Sequence, residues 1–217
     1  MKTTQFKLRL LGIFGILGGL ILFAGDMLLY YVPPSTHLLE NMGIISDSRI
    51  VLSGLSALVA AWFYTLGAGQ MYLAFSPAKK TIRNTASIIF AGILIGYGVV
   101  HGAYIAIATS AKIATQNQMD LQTTAKLAID VNLAIRMLIY PLFAILSVIF
   151  IWQVWQKKTL YPRWMILFYP LLAFILKDLI INLFSENFRI IIEGGFLNLI
   201  LVIFFTMSTV SLWNVTD

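Results

Sequence analysis

Long apolar runs, separated by short polar breaks, set the pattern of this 217-residue chain. The runs cover 10–32, 50–75, 84–108, 128–155, 163–184 and 190–213. About 20 residues at 1.5 Å rise each cross roughly 30 Å of hydrocarbon as a helix, and each run reaches that length. Two connections are short, 76–80 and 156–162, with Pro77 and Pro162 ending the helical pattern. The others, 33–49 and 109–127, are longer, and the second reads as the tail of a helix projecting above the membrane. The expected fold class is all-α: a polytopic membrane protein, one domain over 1–217, built as a bundle of six transmembrane helices.

Composition agrees with the pattern. The chain is 59% hydrophobic and 11% charged, with a mean hydropathy of +0.87. Soluble domains carry about 25% charged residues, so the expected solvent for this surface is the bilayer. The net charge of +6 is read as a cytoplasmic bias of basic residues, not as a nucleic-acid surface. Cysteine is absent, which excludes disulfides, thiolate catalysis and cysteine metal sites.

Charge also sorts by side. Lys2, Lys7, Arg9, Lys79, Lys80, Arg83, Lys157, Lys158 and Arg163 flank one set of ends. Asp26, Glu40, Asp47, Asp120, Asp130, Asp178, Glu186 and Glu193, eight of the nine carboxylates, lie toward the other. The positive-inside bias then places the N-terminus and C-terminus in the cytoplasm. Trp152, Trp155, Trp164 and Trp213 fall at the basic boundary, as an interfacial belt should. Tyr30, Tyr31, Tyr104 and Tyr140 lie toward the opposite one. The first run, behind Lys2, Lys7 and Arg9, resembles a signal peptide but continues through Tyr31, so it is read as an uncleaved span.

Depth singles out candidate site residues. Counted from the inner ends, Asp26, His101 and Asp178 lie about 22–26 Å up at 1.5 Å per residue. Arg136 and Glu193 reach a similar level, and Arg49 opens the second span. Asp26 shares a helical face with Gly15 and Gly19, so it is expected to point into the bundle. Asn132, Arg136, Tyr140 and Ser147 form a stripe, as do Asp178, Asn182 and Ser185, and Arg49, Ser53, Ser56, Ala60 and Gly67. Gly194 and Gly195 precede Asn198 and leave room for a close approach. Small residues at Gly12, Gly15, Gly19, Gly92, Gly96, Gly98, Gly102 and Ala106 are expected to pack helices. A charge near the bilayer centre costs about 2.5–3.5 kcal/mol, so Asp26 must be paired, protonated or hydrated. Its available partners are Arg49, His101, Arg136 and Lys177.

Most specific chemistries fit poorly. Paired-histidine haem ligation lacks a second intramembrane histidine, since His37 is in a loop. Zinc on His101, Asp26 and Glu193 has no spacing motif behind it. No metal and no cofactor are expected. Ser53 or Ser56 beside His101 would make a serine nucleophile, but Ser53–Ala57 falls short of the rhomboid Gly-x-Ser-Gly. Phe23–Asp26 is only half of the Gly-x-Gly-Asp of intramembrane aspartyl proteases. A transporter reading needs a midplane site on broken helices. Pro170 alone offers such a break, and six spans would need a homo-oligomer to reach the usual transporter size.

Four segments carry a family resemblance: Gly25–Tyr30, Ile45–Arg49, Tyr161–Trp164 and Gly194–Asn198. In order and spacing they resemble an uncharacterised family of bacterial multi-pass inner-membrane proteins, known as a domain of unknown function. The resemblance implies a plasma-membrane protein with six spans and no activity; it draws attention to Asp26, Arg49 and Asn198. The functional expectation is a membrane protein that binds or moves a small or lipid-like molecule through an outward-facing polar cavity. Its candidate ligand residues are Asp26, Arg49, His101, Arg136, Asp178, Glu193 and Asn198. The alternatives are an enzyme acting on a lipid or isoprenoid, and a purely structural membrane protein.

Overall fold

The computed structural model describes residues 2–35 and 37–214. Asp217, expected on the cytoplasmic side, lies outside the described residues. The chain folds as α1 (Lys2–Tyr30), α2 (Leu38–Ile44), α3 (Asp47–Ala74), α4 (Lys80–Gln116) and α5 (Leu121–Trp155). A 3-10 helix (Arg163–Phe168), α6 (Pro170–Ile175), α7 (Lys177–Asn182) and α8 (Glu186–Ser211) follow. Five helices are long and apolar enough to cross a membrane, those containing Thr4–Tyr30, Asp47–Ala74, Lys80–Gln116, Leu121–Trp155 and Phe188–Ser211.

The fifth expected span, 163–184, is not one continuous helix. Pro170 has no N–H to donate, and it holds Tyr169 before it in an extended conformation (φ −69°, ψ 136°). Leu176, at φ −93° and ψ 10°, interrupts the segment again between α6 and α7. The broken segment nevertheless runs antiparallel along α8. Tyr161 meets Ser208, Tyr169 meets Phe204, Phe174 meets Phe196, and Ile181 packs near Ile192.

The two longer connections also take shape. Leu38–Ile44 is a short helix packed mainly on α4. The 109–127 connection is largely helical, since α4 runs on to Gln116 and α5 starts at Leu121. Their 37 and 35 residues correspond to about 50–55 Å, well beyond the thickness of the hydrocarbon. Asp120 caps α5 by accepting from the Thr123 N–H at 2.7 Å. The hydrogen bonds from Thr123 hold its carboxyl below the usual carboxylate range.

α1 packs most extensively on α3, and α8 packs against α1 on another side. Glycine makes the first contact close. A Cβ on Gly67 would stand 2.7 Å from the Cα of Gly15, so the two backbones touch, as small residues allow between apolar helices. Gly12 and Gly19 also face neighbouring helices. The expected stripe on α4 is less uniform: Gly98 packs on α3 and Gly96 on Ile139, while Gly92 and Gly102 face open space. Gly194 and Gly195 do receive a close approach, from the Tyr30 and Phe23 rings of α1.

One end of the bundle gathers basic and aromatic residues. Arg9 lies over Trp213 at 4.4 Å and binds its carbonyl. Arg163 lies over Trp155 at 5.0 Å and donates to its carbonyl. Such pairs suit a membrane–water boundary. Just above them sits a buried neutral cluster. Gln70 donates to Leu8 O and Thr209, Ser208 donates to Gln70, and Tyr161 bonds Ser208.

Candidate functional site

Near the other end, four helices deliver one connected polar chain. Asp26 comes from α1, one turn beyond Leu22 and one before Tyr30, so all three share a face. Ser53 and Tyr64 come from α3, His101 from α4 and Asn198 from α8. Asp26 Oδ1 lies 2.8 Å from His101 Nδ1, and Asp26 Oδ2 accepts from Asn198 Nδ2 at 2.7 Å. Tyr64 OH donates to Asn198 Oδ1 at 3.1 Å. His101 Nε2 lies 2.8 Å from Ser53 Oγ, which donates to the Gly25 carbonyl at 2.8 Å. Asp26, His101 and Asn198 are 6%, 3% and 4% exposed, and Ser53 and Tyr64 are fully enclosed. Every polar atom of this chain therefore depends on its protein partners.

The distances from Asp26 through His101 to Ser53 match those of an acid–base–nucleophile chain, but the proton directions do not. A serine hydroxyl has one hydrogen. Ser53 gives it to Gly25, so Nε2 must carry a hydrogen and donate to Ser53. An imidazole in that state cannot take a proton from the serine. Ser53 is also absent from the wall of the adjacent cavity. The serine orients the ring. One proton then lies between Nδ1 and Oδ1, and the Asp26–His101 pair has no net charge whichever atom holds it. That is the low-cost state for a group removed from water.

Beside this chain is a cavity of about 150 Å³. Asp26, His101 and Asn198 form one wall, and Arg136, Lys177 and Glu193 are the other ionisable residues lining it. Tyr97 and Tyr104 from α4, Ile139 and Tyr140 from α5, Phe174 from α6 and Phe196 from α8 complete much of the lining. The spacings follow from helix geometry: Tyr97, His101 and Tyr104, like Arg136 and Tyr140, recur at three to four residues. α5 packs on α4 along its length but reaches α6 chiefly through Phe143, whose ring meets Phe174 at 5.2 Å. The cavity lies at this loosely packed seam. A second, more apolar cavity of about 230 Å³ lies beneath α2 and shares Tyr30, Tyr104 and Arg136 with the first.

Arg136 is half-buried, and Tyr104 OH accepts from its Nη1 at 3.3 Å. Lys177 lies 5.8 Å above the Phe196 ring. Among the described residues, neither cation has a carboxylate within 4.0 Å, and Glu193 has no cation partner.

Of the seven expected residues, five meet here: Asp26, His101, Arg136, Glu193 and Asn198. The other two stand elsewhere. Arg49 caps α1, donating to the carbonyls of Leu28, Met27 and Tyr31 at 2.8–2.9 Å. A cation satisfies a helix C-terminus well, which explains its position at the start of α3. Asp178 is exposed on α7 and takes no part in the cavity wall. The interruption at Leu176 resets the helical phase that placed it with the others. Among the described residues no three of His, Cys, Asp and Glu stand close enough to share a metal ion.

Tyr64 was not singled out from the sequence. Its signal was present, since it continues the Ser53, Ala57, Ala60 face of α3 at helical spacing. A tyrosine in an apolar span reads as packing until a partner for its hydroxyl is seen.

The family model described as "Family of unknown function (DUF6796)" matches residues 1–214. The chain belongs to this family. No curated protein and no solved structure matches it. Membership accords with the expected likeness to an uncharacterised family and assigns no activity.

Proposed function

We propose that this DUF6796 chain is a multi-pass plasma-membrane protein of bacterial type that binds a small amphipathic molecule in the cavity beside Asp26 and His101. In this reading the broken 163–182 segment is the sixth crossing, and both termini are cytoplasmic. Its antiparallel course along α8 and the Arg–Trp contacts at the basic end support that topology. A periplasm-dependent reporter fused near Asn117 is expected to give signal, and one fused at Asp217 none. The reverse pattern overturns the orientation.

The observation that carries the binding reading is the lining. Ionisable groups from five elements and apolar side chains share one small cavity at a loosely packed seam. Ligand sites are concave, mostly apolar, and hold a few placed polar groups. Purified protein in nanodiscs is expected to be labelled at the cavity wall by a photoreactive amphiphile. Leu197→Trp, which fills the cavity, should abolish that labelling without unfolding the protein. Unchanged labelling in the filled variant refutes the reading.

A second reading is favoured by one observation: Asp26 and His101 both face the cavity with a proton between them. An enzyme acting on a bound lipid or isoprenoid would use that pair as acid and base. Asp26→Asn separates the two. A binder loses affinity by degrees, whereas an acid–base catalyst loses turnover almost completely.

A further inference from the structure

We infer that the occupant of the cavity carries a single negative charge, a carboxylate or phosphodiester head group, seated between Arg136 and Lys177. This rests on the binding reading above and adds the chemistry of the ligand. Arg136 and Lys177 line the same cavity, come from different helices, and have no carboxylate partner among the described residues. The charge of the site follows from its members. Both oxygens of Asp26 are already engaged, by His101 and Asn198, and the Asp26–His101 pair is neutral as a unit. Glu193, exposed at the rim, offsets one of the two cations. One positive charge is left over, in a region where an uncompensated charge is costly. A monoanionic head group removes that imbalance, and a guanidinium accepts a carboxylate or phosphate in a paired, charge-assisted geometry.

Size sets the rest of the ligand. A space of about 150 Å³ is below the roughly 300–1,000 Å³ that encloses a drug-sized molecule. The cavity therefore holds the head group, while the hydrocarbon chain leaves past Ile139 and Phe174 at the seam between α5 and α6. An anionic single-chain amphiphile fits this arrangement.

The test uses the full-length protein in nanodiscs of zwitterionic lipid. Four probes share one diazirine-bearing acyl chain and differ only in the head: a fatty acid, a lysophosphatidylglycerol, a monoacylglycerol and an acylcholine. Both anionic probes, or one of them, are expected to label the cavity wall at least about tenfold more than the neutral and cationic probes, a difference of about 1.4 kcal/mol. Labelling by the fatty acid alone assigns a carboxylate, and by the lysophosphatidylglycerol alone a phosphodiester. Arg136→Gln and Lys177→Gln should each remove that preference, read as the ratio of anionic-probe to neutral-probe labelling, and Glu193→Gln should increase it. Lys177, half-buried on a short helix, serves if the Arg136 variant does not fold. Equal labelling by neutral and anionic probes, or better labelling by the cationic one, overturns the charge assignment but leaves the binding reading standing. No cavity labelling by any probe overturns both.

Discussion

The two ends of this bundle bury polar side chains in different ways. Toward the basic end, Gln70, Ser208, Thr209 and Tyr161 form a neutral cluster in which each hydrogen bond ends on a protein partner. Phe75 and Phe150 pack against its tyrosine. Toward the other end, Asp26 and His101 are equally buried but ionisable, and with Asn198 they border a cavity with two cations that, among the described residues, lack carboxylate partners. The first cluster pins helices together. The second holds charge-bearing groups at a space that something else can enter. Burial is common to both, so burial is not what distinguishes a site. The difference lies in unmatched charge and in loose packing beside it.

Removing a partner should expose that difference. His101→Ala leaves the Asp26 carboxylate enclosed without its imidazole, and is expected to cost about 3 kcal/mol, in the range for breaking a buried pair. Reversible unfolding in bicelles measures it, and a cost no larger than that of Gln70→Ala would remove the contrast. Gly67→Ala, between the two regions, should cost about 1–3 kcal/mol, because its Cβ meets the Gly15 backbone rather than a side chain that can rotate away. Gly92→Ala, facing open space, is the control, and equal effects would show that α1 and α3 do not touch as described.

Gln70→Ala is expected to cost about 1 kcal/mol, typical of hydrogen bonds between membrane helices, and to leave cavity labelling intact. Loss of labelling in this variant would join the two regions into one functional unit. The smallest effect is outside the spans. The carboxyl of Asp120 is held below its ordinary range by Thr123. Its contribution to α5 is therefore complete above the unfolded carboxylate value of about 4 and is lost as pH falls through the lowered folded value. Protection of the Thr123 amide, relative to its unstructured exchange rate at the same pH, should fall only under acid, and Asp120→Ala should abolish that dependence.

Much of this was legible in the chain. Apolar run length located five continuous helices long and apolar enough to cross a membrane, and the sorting of charge located the end at which ionisable groups gather. Depth counting brought Asp26, His101, Arg136 and Glu193 to one level because α1, α4, α5 and α8 are unbroken, so rise per residue is a reliable ruler along them. The same ruler failed for Asp178, beyond the interruptions at Pro170 and Leu176. Arg49 was selected for its depth, but a depth coordinate does not distinguish a cavity from the carbonyls at the end of a neighbouring helix.

Hydrophobicity and charge are properties of single residues and their spacing, and by themselves they determined the helical class, the spans and the layer of ionisable groups. Only the tertiary structure decided which atoms meet. It turned Ser53 toward Gly25, so that a serine beside a histidine is a positioning group rather than a nucleophile. It left Arg136 and Lys177 lining a cavity with no carboxylate within 4.0 Å of either among the described residues. Those outcomes depend on side-chain direction and on distances between helices far apart in the chain, which no periodicity along one helix encodes.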